Sequence, residues 1–589
     1  MDRRAIWAII LMMLIAVVPS FFLKKPPAKP AAKPAAAVVD SAGRRDGGTA
    51  GADSLARTDS GAPVAASAPA AGPPARRPAQ DSATAAAGPE DTITVRSGLY
   101  TYAVSTRGAR LVAARMHDYQ STAPGEHGQP VELVRRGDDV LAPAVVVGAG
   151  GRDTVAFETW RFEPSTTGTL DATAQPQSLT LRASRNGIGV ELTYTFRPGD
   201  YRIGVAGRVS GLGQDGGLLL VSLGDGVANT EADTVDNHRA YAFVTKNGGA
   251  ERTDFAKLDA GERRVVDGPF EWVAVKSKYF VNALLAFDTT SAKPAPGRIG
   301  GVVATAPASA GKHPTAVHVR AGIPLMASGE FAYQVYAGPM EYGILSKIGH
   351  DFDDVNPYGW PGFRTVIRFF AVPVRALLVW MHEHLALPYG LVLIVFGILV
   401  RVLLWPLNSK AMRSQMAMQA IQPELKRIQE KYSADPQRQQ QEMFKLYKEH
   451  NVNPLGGCWP MLLPMPVLLA LFFVFQYSIE LRGTPFLWVP DLSRPDPLYI
   501  IPVVMALSMF LLSKVGQIGM PANPQAKMMT YVMPVMMLVF FYRFAAGLNL
   551  YYAVSNIASI PQQWMLARER QRRDVRQIVE VKTKAAAKR

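Results

Sequence analysis

"LPYGLVLIVFGILVRVLLWPLNSK", residues 387–410, is apolar from Leu387 to Leu407 except at Arg401, and it ends in Asn-Ser-Lys. A run of that length meets the roughly 20 residues that an α-helix needs to cross a bilayer. Comparable runs occupy 5–23, 459–478, 497–514, 528–544 and 546–566 of the 589-residue chain. The runs predict a polytopic α-helical membrane protein with six transmembrane helices, of which the last five form a compact core.

The formal net charge of +15 could suggest nucleic acid, but the basic residues follow the apolar runs. Arg3 and Arg4 precede the first run, eight Lys and Arg lie in the 408–458 loop, and a basic tail runs over 568–589. If every run crosses once, these fall on one side, and the other side receives only Arg482, Arg494 and Arg543 from short loops. The positive-inside rule then puts both termini in the cytoplasm and residues 24 to about 386 outside. The 1–23 segment reads as an uncleaved anchor, because the apolar run continues past Pro19 and Ser20 to Lys24 and Lys25 without a small-residue cleavage site. With Cys458 as the single cysteine, the external part has no intramolecular disulfide framework.

Residues 24–90 are rich in Ala, Pro, Gly and Ser and lack any aromatic residue, a composition that cannot offset chain entropy and reads as a disordered linker. Over 91–340 the apolar period shortens to two, as in "LTLRAS" (179–184) and "GVELTYTFRPGDYRIGVAGRVS" (189–210). Asn186-Gly187 marks a tight hairpin and Pro198-Gly199-Asp200 a second turn. One large external antiparallel β-sandwich is the expectation for this domain. Residues 341–386 form a connector ending in an interfacial amphipathic helix over 361–384, whose Arg364, Arg368 and Arg375 are expected to reach lipid headgroups.

The 387–567 core encloses the 408–458 loop, which reads as a cytoplasmic helical hairpin, with Asp435-Pro436 starting its second helix. Its apolar stripe either packs on itself or, through the flexible Met412, Met416 and Met418, offers an adaptable surface to apolar partners.

Arg401 lies about 14 residues into its span, some ~20 Å from the outer end and ~9 Å from the inner end. Holding an arginine near the middle of a span costs about 2.5 to 3.5 kcal/mol, less if the side chain snorkels to an interface. The core spans contain no deeply placed acid to pair with it; Glu480, Asp491 and Asp496 belong to the outer side. They do contain Gln476, Ser508, Thr530, Asn549, Ser555, Asn556, Gln562 and Gln563, together with Pro460, Pro464, Pro466, Pro502, Pro534 and Pro561. Arg401 therefore either snorkels or faces a hydrated groove, and each polar residue either glues helices or lines that groove.

Beyond these patterns, "LPYGLVLIVFGILVRVLLWPLNSKAM", "NVNPLGGCWPMLLPMPVLLALFFVF", "ELRGTPFLWVPDLSRPDPLYIIPVVM" and "GLNLYYAVSN" resemble the core of the YidC family of membrane protein insertases over about 340–570. "EWVAVKSKYFVNALLAF" is similar to the end of the periplasmic domain of its Gram-negative members. The resemblance implies a five-helix core in a bacterial inner membrane, with a groove open to cytoplasm and lipid and closed outside. It assigns Arg401 as the groove arginine that attracts acidic or polar parts of nascent membrane proteins. It puts Met465, Pro466, Val467, Leu468, Tyr551 and Tyr552 along the route into lipid, and Asn549 of the same motif with them. Pro464 stands where many relatives carry Gln, and Arg543 departs from the apolar residues expected there. Implied partners are nascent membrane proteins, the lipid bilayer, the Sec translocon and, through the basic tail, the ribosome.

Neither a catalytic centre, a metal site nor a cofactor motif is legible: His382-Glu383-His384 lacks metalloprotease spacing, and there is no phosphate loop or nucleophile elbow. Two other classes remain, a membrane-anchored periplasmic carbohydrate-binding or carbohydrate-processing protein, and a small-solute transporter, which would call for inverted repeats and a midplane site. The tail is either an anionic-lipid-binding helix end or a binder of ribosomal RNA.

Overall fold

Period-two strands need hydrogen-bonded neighbours, and the computed structural model supplies them in three sheets. The structure describes residues 91–147, 153–212, 216–286, 298–311, 313–356, 358–359, 364–406, 408–409, 412, 421–433, 435–450, 465–519 and 524–586. The first span, the linker, Met416, Met418, Cys458, Pro460 and Pro464 lie outside the described residues, as do the side chains of Met465 and Pro466.

Asn186 and Gly187 both adopt positive φ (53° and 79°), the geometry a two-residue hairpin requires. They join Gln177–Arg185 to Ile188–Phe196, which pair antiparallel from Ile188↔Arg185 to Phe196↔Gln177. The turn at Gly199 returns the chain as Arg202–Ser210, and these strands continue into a nine-stranded sheet that also contains Trp272–Lys276, Phe280–Leu285 and Glu330–Pro339. A six-stranded and a five-stranded sheet complete the domain, so the expected single sandwich is a three-sheet assembly. One pair departs from the antiparallel rule: Thr92–Arg96 runs parallel to Thr169–Asp171. Alternation along a strand specifies which face is buried, not which strand lies next to it, and this is why the sequence could not distinguish the two layouts.

The helices are α1 (Thr234–Arg239), α2 (Tyr342–Ile348), α3 (Arg364–Leu385), α4 (Tyr389–Leu403), α5 (Gln422–Lys431), α6 (Pro436–Glu449), α7 (Met465–Tyr477), α8 (Ile500–Gly516), α9 (Pro524–Phe541) and α10 (Ala546–Ala586). As Asp435-Pro436 predicts, the Asp435 carboxylate caps α6 by accepting from the Arg438 N–H. α5 and α6 pack through Ile421, Leu425, Ile428, Leu446 and Tyr447, whereas Phe444 of α6 stays exposed. Pro534 and Pro561 sit inside uninterrupted helices, and α10 carries on as one helix far into the basic tail.

Exposed large apolar side chains separate the two halves of the molecule. Among the described residues of the β domain they are Val235, Val265 and Met326. In the helical region they form stripes: Leu391, Val395, Ile398 and Val402 on α4; Val503, Leu507 and Leu511 on α8; Val532, Val535, Met536 and Val539 on α9. Continuous apolar faces of that extent belong in lipid. Among the described residues α3 alone is both long and apolar enough to span a membrane, and α4, α8 and parts of α7 and α9 are shorter apolar helices.

The arginines of α3 nevertheless tie it to the protein and not to headgroups, a correction to the sequence expectation. Arg364 donates to the Ala250 carbonyl. Arg368 contacts Asp351 and Asp354 at 3.0 and 2.9 Å. Arg375 bonds Glu480 at 2.9 Å, the Tyr358 hydroxyl and the Met340 carbonyl. All of these partners lie in the β domain, the connector or the loop after α7. The same loop is clasped a second time where Arg482 meets Glu231 at 2.8 Å, with both side chains buried. Asp496, fully buried, accepts from Trp488 Nε1 and the N–H groups of Leu498 and Ile501, which caps α8. The β domain and the near end of the helical bundle thus share one set of buried polar contacts.

Candidate functional site

Gly397 and Arg401 are four residues apart on α4 and share a face. A Cβ at Gly397 would sit 3.2 Å from Val554 Cγ1, so the missing side chain is what lets α4 approach α10. One turn further along, Arg401 Nε donates to Ser555 Oγ at 2.6 Å. Tyr551, one turn before Ser555, is buried between Phe396 and Phe475 with ring centroids 5.9 and 5.7 Å away. Among the described residues no carboxylate lies within ion-pair distance of Arg401, and its terminal nitrogens have no hydrogen-bond partner. The three outer-side acids are occupied elsewhere: Glu480 by Arg375, Asp491 by Ser493, Asp496 by the α8 cap.

From Arg401 a polar seam runs along α10 on positions spaced by three and four. Ser559 Oγ donates to the Ser555 carbonyl. Gln562 donates to the Trp405 carbonyl and Ser409 Oγ, both at 2.9 Å, and Gln563 reaches Met412 Sδ at 3.2 Å. On the α8 side, Asn556 donates to Ser508 Oγ at 3.2 Å. These amides and hydroxyls are committed to holding helices together, whereas the guanidinium end of Arg401 is not.

The structure divides the sequence-derived site. Arg401 and Tyr551 stand together, but Tyr551 is buried behind the arginine and has no open face. Tyr552 is half-buried against Phe541, and Val467 and Leu468 are half-buried on α7. Asn549 does not line a groove: it is fully buried, and its amide donates to the carbonyls of Phe541, Phe544 and Ala545, stapling the turn between α9 and α10. Met412 touches α10 through Gln563, so it acts within the fold. Gly397 is not singled out by the sequence reading, and Ser555 enters it only as one of eight polar residues. The i, i+4 spacing of Gly397 with Arg401, and of Tyr551 with Ser555, was the available signal.

Gly397→Val is expected to separate α4 from α10, breaking the Arg401–Ser555 bond and costing about 1 to 3 kcal/mol through overpacking. Thermal unfolding in detergent reads this directly, and an unchanged midpoint would show that the two helices do not depend on that close approach.

The β domain holds a cleft of about 840 Å³ lined by Glu132, Arg135, His238 and Tyr241 among others. Of its two carboxylates, Glu126 and Glu132, the second is structurally engaged: Glu132 accepts from the N–H groups of Ala114 and Val134 and meets Arg115 at 3.3 Å. Burial raises the Glu132 pKa against the pull of those donors. Behind the cleft, burial and then the neighbouring Asp225 carboxylate push the Asp138 carboxyl up to about 7. His382 and His384 bond the Leu387 and Trp380 carbonyls, and His382 stacks on Tyr389.

A helical bundle with lipid-facing apolar stripes, joined to a large β-rich domain, defines a membrane protein with a sizeable domain outside the bilayer. Residues 92–373 match the model of the YidC periplasmic domain, and residues 380–573 match that of the 60Kd inner membrane protein. The membrane protein insertase YidC of Chlorobaculum tepidum is 31% identical over 512 residues, which is 82% of each chain. That of Chlorobaculum parvum is 32% identical over 505 residues, covering 82% of this chain and 83% of the relative. Among solved structures, an active YidC insertase with its first transmembrane domain resolved aligns with 80% of this chain and 94% of its own, at 16% identity and a TM-score of 0.31. The chain belongs to the YidC family of membrane protein insertases, inner-membrane proteins with a periplasmic domain.

Proposed function

We propose that this chain moves nascent membrane proteins into the bilayer by offering Arg401 as a transient counter-ion in the polar seam between α4 and α10. The observation that carries this reading is the arginine itself, held at Nε by Ser555 with no carboxylate opposite its free end among the described residues. An acidic or amide-bearing stretch of the arriving chain would be stabilised there partway across the membrane, while its apolar span passes into lipid beside Met465, Pro466, Val467 and Leu468 on α7 and Tyr552 on α10. Removing charge from water is costly, and an oppositely charged partner already placed at depth shortens the unfavourable part of the path.

In this reading the protein has six spans, five in the insertase core, with both termini cytoplasmic and the β domain periplasmic. The α5 and α6 hairpin stands in the cytoplasm, where Met416 and Met418 meet varied apolar segments, while Met412 is engaged by Gln563. The Sec translocon is a partner for a share of substrates. The ribosome would meet the tail beyond Arg572, because Arg568 lies 3.5 Å over the Trp564 ring and Arg570 donates to the Gly516 carbonyl at the end of α8.

The test is site-specific photocrosslinking from position 401 and from position 468 to a stalled nascent membrane protein. Adducts at both positions that move along the substrate as the chain is lengthened are expected. Adducts at 468 without any at 401, for substrates with acidic tails, would remove Arg401 from the route.

A further inference from the structure

Three arginines counter the positive-inside pattern, and the structure uses only one of them internally. Arg482 is buried against Glu231, whereas Arg494 and Arg543 are exposed and have no ion-pair partner among the described residues. They are also neighbours. The Ala546 N–H donates to the Arg494 carbonyl at 2.7 Å, and Arg543 lies three residues before Ala546, a distance of at most ~11 Å along the chain. The acids close by are closed to them: Asp491 is taken by Ser493, and Asp496 is fully buried in the α8 cap.

What lies beneath the two cations identifies their environment. The exposed stripe of α9 runs Val532, Val535, Met536, Val539 and Phe540, and Arg543 continues it by one more turn. The stripe of α8 rises through Leu511, Leu507 and Val503 to Ile500 and Tyr499 at the same end. Tyr542 connects the two, its ring 6.1 Å from that of Tyr499 and 5.2 Å beneath the Arg543 guanidinium. Arginine with tyrosine at the top of a lipid-facing apolar band is the arrangement that meets phosphate at the membrane interface.

We propose that Arg494 and Arg543, with Tyr499 and Tyr542, form a docking site for the headgroup of an anionic phospholipid in the periplasmic leaflet. Two guanidinium groups without a protein counter-charge leave a net positive site, which favours a lipid of net negative charge over a zwitterion whose own cation opposes binding. The proposal rests on the membrane placement of α8 and α9 and is independent of how Arg401 handles substrate.

The full chain, purified in an uncharged detergent, is titrated with dioleoylphosphatidylglycerol or dioleoylphosphatidylcholine, and bound lipid is counted by native mass spectrometry. Two interfacial cations predict a preference for the glycerol lipid of roughly tenfold to thirtyfold. Arg494→Gln with Arg543→Gln should remove most of that preference, each single Gln variant part of it, and the Arg494→Lys, Arg543→Lys pair little. An undiminished preference in the Gln pair overturns the site. So does its abolition by Lys514→Gln alone, since Lys514 bonds Tyr531 at the opposite end of α8 and would place the lipid in the other leaflet.

Discussion

Arg375→Ala or Glu480→Gln is expected to lower the stability of the whole molecule by about 3 to 5 kcal/mol, the usual cost of leaving one member of a buried ion pair uncompensated. Their side chains are 6% and 8% exposed, so water screens neither charge. Both terminal nitrogens of the guanidinium are used, with Glu480 at 2.9 Å, the Met340 carbonyl at 3.0 Å and the Tyr358 hydroxyl at 3.0 Å, above the Tyr342 ring. Glu480 also accepts from the Tyr342 N–H at 3.1 Å. Four stretches of chain converge on this pair: Met340 to Tyr342, the segment holding Tyr358, α3 and the loop after α7. Glu480→Gln keeps size and an acceptor yet strands the arginine charge, so it should cost nearly as much as alanine.

An Arg375→Met, Glu480→Leu double variant should be markedly less damaging than the sum of the single losses, because it removes both desolvated charges together. Thermal or denaturant unfolding in detergent provides the cycle. Losses below about 1 kcal/mol for both single variants would place the pair in the class of solvated surface bridges and refute its role as the clasp between β domain and helical core.

The clasp also shows where reading residues alone stops. That α3 carries three arginines on an apolar helix was plain from the sequence, and headgroups were a reasonable guess for their partners. The partner of Arg375 lies 105 residues later, and no local pattern points to it. Arg482 counted as an ordinary outer-loop charge, although it is buried against Glu231. By contrast, the Asn186-Gly187 hairpin, the cap at Asp435 and the apolar runs of the core depend on backbone sterics and local solvation, and those were legible. The site behaved in the same way. The cost of Arg401 in lipid could be stated from its position, but the choice of Ser555 from among eight polar residues required knowing how closely α4 approaches α10. Asn549 looked like a groove amide for a related reason: lining a groove and stapling a turn both demand a buried amide, and only tertiary contacts separate them.

Arg401→Glu should reduce insertion of substrates with acidic translocated segments, while neutral ones are affected far less. A carboxylate about 5 Å from a guanidinium at an effective dielectric near 20 gains roughly 3 kcal/mol, of which desolvation and lost side-chain freedom take a share. A net of about 1 to 2 kcal/mol corresponds to roughly five- to thirtyfold in partitioning, and reversing the charge replaces that gain with repulsion. Arg401→Lys separates this account from snorkelling. A lysine keeps the charge but not the Nε contact to Ser555, so acidic substrates should insert at an intermediate level if the charge is what they read. If the arginine merely reached an interface, Lys, Gln and Glu would differ in stability and not in substrate preference. Reconstituted vesicles with paired substrates, identical except for acidic or neutral tails, make the comparison. Equal loss for both tails in the Glu variant would mean that the charge at 401 is not used by the arriving chain. Selective loss requires that the substrate supplies the counter-ion, because among the described residues no carboxylate lies within ion-pair distance of Arg401, whose Nε is held by Ser555.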